Sequence, residues 1–270
     1  MNNIQQNIAL LNNYYDKIYL VIIERNIPER LDKINESLKG LNFELFKGVD
    51  GRLISDVELN QIYDFEKSMF YMDKVSQFRY DKSDKNGLCV GNIGCSKSHL
   101  NIYKDMIQND YKRILVLEDD ARFNFGTINQ IPEILKQMPL DTDLFYWGYR
   151  WYDCESILSR VKRKYLIPIK QLLSGKNVQK YISENRIKYP TKQTKQIWNA
   201  GYHAGTHAYA ITQDTAKKII QLNDPVIYAA DMALAHLVKN KSVKAYIAVP
   251  KIFREDQSLT SSILYSEYKK

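Results

Sequence analysis

Three consecutive carboxylates, Glu118, Asp119 and Asp120, directly follow the apolar run Ile114–Leu117. The run predicts a buried strand that ends on the acids. Neighbouring carboxylates repel one another unless a cation lies among them. Ligands of open α/β sheets bind at the carboxyl ends of the strands, and Mg²⁺ and Mn²⁺ bind carboxylates together with substrate phosphates. The triplet therefore indicates a divalent cation that holds a diphosphate, although a solvated acidic turn explains the same residues equally well.

Strands and helices that alternate along the chain must position this triplet, and their alternation predicts an α/β sandwich. The predicted strands are Lys17–Ile23, Phe43–Phe46, Ile114–Leu117, Asp143–Trp147, Gly205–Ile211 and Val243–Val249. Helices are predicted after Pro28, from Ile93, around Ile128–Gln137, from Thr212 as N-cap, and over Asp231–Val238. The opening strand, helix and strand form a βαβ unit, which favours a parallel sheet. Residues 1–16 are expected to be a polar lead-in or cap, and residues 52–88 show no clear pattern.

Length and composition limit the class of protein. The 270 residues are enough for one large domain or two small ones, and no run of eighteen apolar residues predicts a membrane span. The first residues lack the features of a signal peptide, and the three cysteines lack CxxC spacing, so a reducing cytoplasm is expected. Because GxGxxG and GxxxxGK[ST] patterns are both missing from the sequence, dinucleotide and P-loop sites are disfavoured.

Positive charge is concentrated in one segment, residues 160–196. It contains eleven Lys or Arg residues and one acid, Glu184, so its net charge is +10 while that of the whole chain is +8. Such a segment can bind nucleic acid, an anionic membrane face or an acidic glycan, or it can be a solvated insertion. No nucleic-acid motif accompanies the charge, so nucleic acid is not an expected partner.

Six short motifs, in order, carry a resemblance to a known family. They are Ile22–Arg30 (IIERNIPER), Gly48–Gly51 (GVDG), Asn92–His99 (NIGCSKSH), Val116–Asp120 (VLEDD), Gly205–Ile211 (GTHAYAI) and Asp231 within YAADM. Each motif is weak alone, but together they cover most of residues 17–263 apart from 52–88 and the basic segment. The chain resembles glycosyltransferase family 25, the lipooligosaccharide galactosyltransferase type, which includes collagen galactosyltransferases. Two positions depart from the family pattern: Ile22 replaces an Asn and Asn92 replaces a Glu.

The resemblance implies a fold and a reaction. It implies a single GT-A domain over residues 1–270, a Rossmann-like α/β/α sandwich with a mostly parallel central sheet, interrupted by the basic insertion at about 160–196. The expected reaction is inverting and metal-dependent transfer of galactose or glucose from a UDP-sugar to a glycan or glycolipid hydroxyl, as in lipopolysaccharide biosynthesis. A non-catalytic module of the same fold that binds an anionic glycan or lipid is the alternative.

Individual roles follow from the same resemblance. Asp120 and His207 are expected to bind Mn²⁺ or Mg²⁺, since a neutral imidazole is a common metal ligand, although His207 also suits the core. Asp231 is the expected general base, with a helix N-cap as the alternative. The residues expected to contact the nucleotide sugar are Arg25, Arg30, Asp50, Gly51, Glu118 and Asp119. His99 is expected to orient the helix beside the acid strand.

The acceptor side is less defined. Trp147, Tyr149, Trp151 and Tyr152 form an aromatic cluster that suits either a sugar platform or the core. The resemblance implies action at the inner face of the cytoplasmic membrane, so the enzyme is expected to be cytoplasmic, with peripheral contact to anionic lipid through the basic segment.

Overall fold

The computed structural model of this chain describes residues 3–75, 87–150 and 189–259, together with six single positions between 161 and 173. The helices in these residues are α1 (Asn3–Tyr14), α2 (Ile27–Ser37), α3 (Asp56–Ile62), α4 (Phe65–Val75), α5 (Val90–Gln108), α6 (Ile131–Gln137), α7 (Gln213–Asn223) and α8 (Ala230–Lys239). The strands are β1 (Lys17–Ile23), β2 (Glu44–Gly48), β3 (Arg113–Glu118), β4 (Ala121–Phe123), β5 (Leu144–Arg150), β6 (Thr191–Lys192), β7 (Ile197–Asn199), β8 (Ala204–Thr212), β9 (Ala245–Ala248) and β10 (Phe253–Glu255).

A central sheet organises the described part of the chain. Its eight strands lie in the order β2-β1-β3-β8-β5-β9-β7-β6, and β4 pairs separately with β10. Six of the eight run in one direction, while β8 and β7 run in the other. As a result, the carboxyl ends of β1, β2, β3 and β5 lie at the same edge of the sheet as the amino-terminal end of β8.

Two hydrophobic cores cover the two faces of this sheet. Successive side chains of a strand point to opposite faces, and in β3 Val116 packs into one core while Leu117 packs into the other. Helices α5, α7 and α8 cover the Val116 side, and α1, α2 and α6 cover the Leu117 side. The predicted α/β sandwich is therefore confirmed, with three layers and a mostly parallel sheet.

Helix α1 agrees with the second alternative for residues 1–16, a cap, and not with a polar lead-in. It contains many Asn and Gln residues, yet Ile8 and Leu11 are fully buried on one face. The hydroxyl of Tyr15, just beyond the helix, accepts a hydrogen bond from Trp147 Nε1 at 2.6 Å. The helix therefore closes one face of the sheet.

The single-domain prediction stays a prediction. Most of the basic segment lies outside the described residues; of its last part, Thr191–Lys192 forms β6 at the edge of the sheet. In the described residues, no helix is both long enough and apolar enough to cross a membrane.

Candidate functional site

A cleft of about 480 Å³ lies at the sheet edge where the ends of β1, β2, β3 and β5 meet the start of β8. Its size is that of a typical small-ligand site. All nine predicted site residues line it: Arg25, Arg30, Asp50, Gly51, Glu118, Asp119, Asp120, His207 and Asp231. The sequence therefore predicted which residues come together. What each residue does there stays a prediction.

Glu118, the last residue of β3, is held by hydrogen bonds from two elements. Its Oε1 lies 3.2 Å from His99 Nε2 on α5, and it also accepts a short hydrogen bond from Thr206 on β8. Burial alone would raise the pKa of Glu118, but the contacts with His99 and Thr206 outweigh it and lower this pKa. Glu118 is therefore a fixed anion at neutral pH. His99 orients it, in the place beside the acid strand that the sequence indicated.

Asp119 faces the connection between β1 and α2. Its Oδ2 accepts hydrogen bonds from Arg30 Nη1 at 2.8 Å and from Asn26 Nδ2 at 3.0 Å. Burial nevertheless raises the pKa of Asp119 from its ordinary value, because the two contacts offset the loss of water only in part. Arg30 is buried as well. These two predicted nucleotide contacts thus bind each other and join the acid cluster to α2.

Asp120 differs from both of its neighbours. Its Oδ1 is buried and makes no hydrogen bond with the described residues. Burial, followed by repulsion from Glu118 and Asp119, raises the pKa of Asp120 to about 7, although Arg150 and Arg122 oppose the shift. A carboxylate that has one buried oxygen without a hydrogen-bond partner and lies beside two other acids suits a cation. The residues present therefore fit a divalent ion at Asp120.

His207 on β8 presents a second site that suits a metal. It is buried, and neither ring nitrogen makes a hydrogen bond of ordinary geometry with the described residues. Burial lowers its pKa to about 4, and Arg150 and Lys251 lower it further, while Glu118 opposes the shift. The imidazole is therefore neutral at physiological pH, which is the form that binds metals. A contact with the Phe253 backbone also opposes the shift, so both the metal ligand and the core histidine stay predictions for His207.

Strand β5 makes room for the His207 ring at Gly148. The pairing of β5 with β8 shifts register on both sides of Gly148, as in a β-bulge. A Cβ atom at Gly148 would lie 2.4 Å from His207 Nε2 and 2.8 Å from the Phe253 carbonyl oxygen. Only glycine fits there without movement of the histidine.

Asp231 lies in the first turn of α8, and its carboxylate faces β8. The N-cap of α8 is Ala229, so the alternative role of Asp231 as N-cap is wrong. Its Oδ2 accepts a hydrogen bond of 3.1 Å from the backbone N–H of Gly205. Gly205 has φ +82°, a conformation that favours glycine. The hydrogen bond from Gly205 N–H orients the Asp231 carboxylate in the wall of the cleft.

The loop after β2 brings a carboxylate and two guanidinium groups together. Asp50 lies 3.3 Å from Arg25 Nε and 3.5 Å from Arg52 Nε. Gly51 is packed so closely on α5 that a Cβ there would lie 1.9 Å from the Val90 carbonyl oxygen. This contact fixes the loop against α5, and the three charged groups keep an excess of one positive charge.

Several cleft residues were absent from the sequence predictions. Arg52 and Thr206 each stand next to a predicted residue, so adjacency was a usable signal. Arg150 forms an ion pair with Glu255, 105 residues later, and the sequence offers no sign of that contact. Cys95, a half-buried residue of α5, also lines the cleft.

The charges of the cleft favour a cation as well. Four arginines and six carboxylates line it, and the two histidines add no charge when neutral. If every carboxylate is ionised, the net charge is −2. A diphosphate would therefore meet repulsion unless a divalent ion accompanied it.

The aromatic cluster after β5 belongs to the core as far as the structure describes it. Trp147 and Tyr149 are buried, so they offer no surface for stacking a sugar. Trp151 and Tyr152 lie outside the described residues.

Comparison with known proteins gives evidence on the family of this chain that does not depend on the geometry of the cleft. The family model described as "Glycosyltransferase family 25 (LPS biosynthesis protein)" matches residues 15–234. The chain is 38% identical over 64 residues to human "Inactive glycosyltransferase 25 family member 3", and 32% identical over 71 residues to human "Procollagen galactosyltransferase 2". It is also 36% identical over 70 residues to a Drosophila melanogaster "Glycosyltransferase 25 family member".

These matches are short. They cover 23–25% of this chain and 11% of each of those relatives. One of the relatives is named inactive, so the name of the family does not by itself decide whether a member is active. The family model, in contrast, spans every element from β1 to the first half of α8. The chain belongs to glycosyltransferase family 25.

Proposed function

We propose that this chain transfers a hexose, galactose or glucose, from a UDP-sugar to a hydroxyl group of a glycan or glycolipid, with inversion at the anomeric carbon. One observation carries the proposal: the half-buried Asp120 and the buried His207 line the same cleft, and Asp120 Oδ1 and both ring nitrogens of His207 are buried without a hydrogen bond of ordinary geometry in the described part of the chain. Such atoms are costly unless a ligand satisfies them.

The residues around the cation have separate tasks in this proposal. Asp120 and His207 would hold Mn²⁺ or Mg²⁺, which supplies Lewis-acid stabilisation of the diphosphate that leaves. Glu118, fixed by His99 and Thr206, would contact the ribose or a metal-bound water. Arg25, which follows β1, would bind the diphosphate or the base together with Asp50 and Gly51 of the loop after β2.

Asp231 would act as the general base. The acceptor oxygen attacks the anomeric carbon, the bond from that carbon to the diphosphate oxygen breaks, and UDP leaves. The proton of the acceptor hydroxyl passes to the Asp231 carboxylate. The hydrogen bond from Gly205 N–H supports this role because it fixes the orientation of the acid while leaving it ionisable.

The function is tested by incubating the purified chain with UDP-galactose or UDP-glucose and following UDP release, with Mn²⁺ and with EDTA. Release with Mn²⁺ and its loss in EDTA are expected. The relative named inactive favours the second candidate, a binding module without turnover. That candidate predicts stabilisation of the fold by UDP and Mn²⁺ with no release from either donor.

We also propose that the acceptor side of the enzyme rests on an anionic lipid surface through residues 160–196. The six described positions between residues 161 and 173 carry exposed large apolar side chains: Val161, Tyr165, Leu166, Ile169, Leu172 and Leu173. In the sequence they alternate with Lys and Arg residues. Apolar side chains among basic ones are typical of segments that lie in a membrane interface.

A further inference from the structure

Two residues of α5 and the last residue of β3 place three different metal-binding atoms together. Cys95 and His99 are four residues apart on α5, so their side chains share one face of the helix. The thiol sulfur of Cys95, a ring nitrogen of His99 and a carboxylate oxygen of Glu118 all lie within 4.8 Å of one another. All three residues line the cleft. None of them is an expected ligand of the donor-bound cation.

The histidine of this group is oriented in the way that metal ligands usually are. His99 Nδ1 forms a 2.7 Å hydrogen bond with the Tyr209 hydroxyl, which in turn lies 2.5 Å from the Tyr103 hydroxyl. Partners of this kind on the far nitrogen fix the ring and direct the other nitrogen to the ion. The other nitrogen, Nε2, faces Glu118 Oε1 at 3.2 Å.

The spacing suits a tetrahedral ion. In a tetrahedral zinc site, ligand atoms at ordinary bond lengths lie about 3.3–3.6 Å from one another. The His99–Glu118 pair is already close to that separation, at 3.2 Å, and the Cys95 sulfur lies within 4.8 Å of both ligand atoms. Cys95 makes no hydrogen bond within the described part of the chain, so binding through sulfur breaks no contact there.

We propose that Cys95, His99 and Glu118 form a second cation site that selects a thiophilic divalent ion such as Zn²⁺ or Cd²⁺, with its fourth position open to the cleft. A ligand set of sulfur, nitrogen and oxygen prefers Zn²⁺ over the harder Mg²⁺ and Mn²⁺. An ion bound there takes Glu118 out of its contact with His99 and adds charge beside Asp120. This site is distinct from the one proposed for the ion that supports transfer.

The test is a Cd²⁺ titration of the EDTA-treated full chain, read by the ultraviolet absorption of the cadmium–thiolate bond. Cys154, which lies outside the described residues, is replaced by Ser in every sample so that only two cysteines remain. One equivalent is expected to bind to this parent. Cys95→Ser and Cys95→Ala should each lose the band and weaken Cd²⁺ binding at least tenfold.

The matched control is Cys89→Ser, because Cys89 is buried at the N-cap of α5 and lies outside the group of three. This control should keep both the band and the affinity, and excess Mn²⁺ should not displace Cd²⁺. A band that survives both Cys95 variants, disappears with Cys89→Ser or is missing from the parent would overturn the proposal. Since the readout needs neither donor nor acceptor, such a failure leaves the proposed transferase function intact.

Discussion

Three adjacent acids in one strand end have three different environments. Glu118 is hydrogen-bonded by His99 and Thr206, Asp119 is paired with Arg30, and Asp120 Oδ1 makes no hydrogen bond in the described residues. Successive residues point in different directions where a strand ends, so each acid meets a different set of neighbours. The family resemblance already singled out Asp120 within the triplet, and the neighbours from other elements supply the physical reason: its Oδ1 makes no hydrogen bond in the described residues.

The metal-free protein should respond in opposite ways to two neighbouring substitutions. Asp120→Asn removes a carboxylate whose pKa is raised to about 7 in the folded state. The folded state thus binds this proton more tightly than the unfolded state, so its contribution favours folding at low pH and is lost as pH rises from about 4 to 7. In EDTA at pH 8, Asp120→Asn should be more stable than the parent, by about 1.4 kcal/mol for each pKa unit of the shift.

Asp119→Asn is the matched comparison, because it removes the carboxylate that pairs with the buried Arg30. Loss of one member of a fully buried pair costs about 3–5 kcal/mol, and Asp119→Asn should cost less than this at pH 8, because Asp119 is half-buried and burial already raises its pKa. Urea unfolding at pH 8 and pH 5 measures both variants, and the advantage of Asp120→Asn should shrink at pH 5. With Mn²⁺ added, the parent should be stabilised and Asp120→Asn should not. A parent that is more stable than Asp120→Asn in EDTA at pH 8 contradicts the assignment.

The proposed role of Asp231 as general base can be tested against a matched control, Asp214. Asp231→Asn keeps an acceptor for Gly205 N–H but no longer takes a proton, so transfer should fall about 10²–10⁴-fold while UDP binding and folding stay near those of the parent. Asp214 occupies the same position in α7, the second residue of the helix, and is exposed. Asp214→Asn should leave transfer unchanged. Steady-state kinetics with UDP calorimetry distinguish the two variants, and equal transfer rates would remove Asp231 from catalysis.

At the scale of elements, the antiparallel strand β8 determines the site. It lies between β3 and β5, so Thr206 and His207 near its start reach the carboxyl ends of its neighbours. The sequence predicted β8 with nearly its observed bounds, and Thr212 as N-cap of α7 is confirmed by its hydrogen bond from Thr215 N–H. Its direction was not predictable, because the alternation of side chains along a strand is the same in either direction.

The bulge in β5 should control the position of His207. In Gly148→Ala, the added Cβ would lie 2.4 Å from His207 Nε2, so the ring must move. We expect the affinity for Mn²⁺ to fall about 10–100-fold, as it does when residues that orient a ligand are changed. Gly126→Ala is the control, because a Cβ there would meet only Asn124 Oδ1, at 3.6 Å.

Calorimetric titration of Mn²⁺ compares the two alanine variants, and circular dichroism verifies that both are folded. If a folded Gly148→Ala protein binds Mn²⁺ like the parent, His207 is not a ligand.

The parts of the site that the sequence did not predict depend on contacts between elements that are far apart in the sequence. Strand β10 pairs with β4, and Asp256 N–H donates to the Asp120 carbonyl oxygen at 2.8 Å. Arg150 and Glu255 approach each other through the same arrangement. Periodicity reveals elements one at a time. It therefore predicted the strands whose ends form this edge of the sheet, but it did not predict β10 or the ion pair between Arg150 and Glu255.

At the scale of the whole molecule, charge is divided between two regions. The cleft carries more carboxylates than arginines, whereas residues 160–196 carry a net charge of +10. With these charges, the proposed anionic donor would need a cation to enter the cleft, while the basic segment would attract an anionic lipid surface without one. This separation allows donor binding and membrane contact to be tested independently.

Binding to lipid should depend steeply on salt and on three neighbouring charges. Replacing Lys162, Arg163 and Lys164 by Gln removes about 3 kcal/mol of attraction to an anionic surface, at about 1 kcal/mol per basic residue, or roughly a hundredfold in affinity. Raising the salt from 0.1 M to 1 M shortens the screening length from about 10 Å to 3 Å and should release the parent from vesicles. Co-sedimentation with vesicles that contain phosphatidylserine measures both effects.

The matched control removes the same charge from another surface. Lys217, Lys218 and Lys241 are exposed at and after the helices α7 and α8, and their replacement by Gln leaves the same net charge as the first variant. This control should bind vesicles like the parent, since attraction falls off within a Debye length of the surface. Transfer to a short soluble acceptor should be unchanged in both variants, because the three control lysines do not line the cleft and the basic segment is proposed to contact lipid and not a soluble acceptor. Equal loss of vesicle binding in the two variants would mean that net charge alone attracts the protein to lipid. Vesicle binding that does not depend on salt would assign the contact to the exposed apolar side chains of the segment instead.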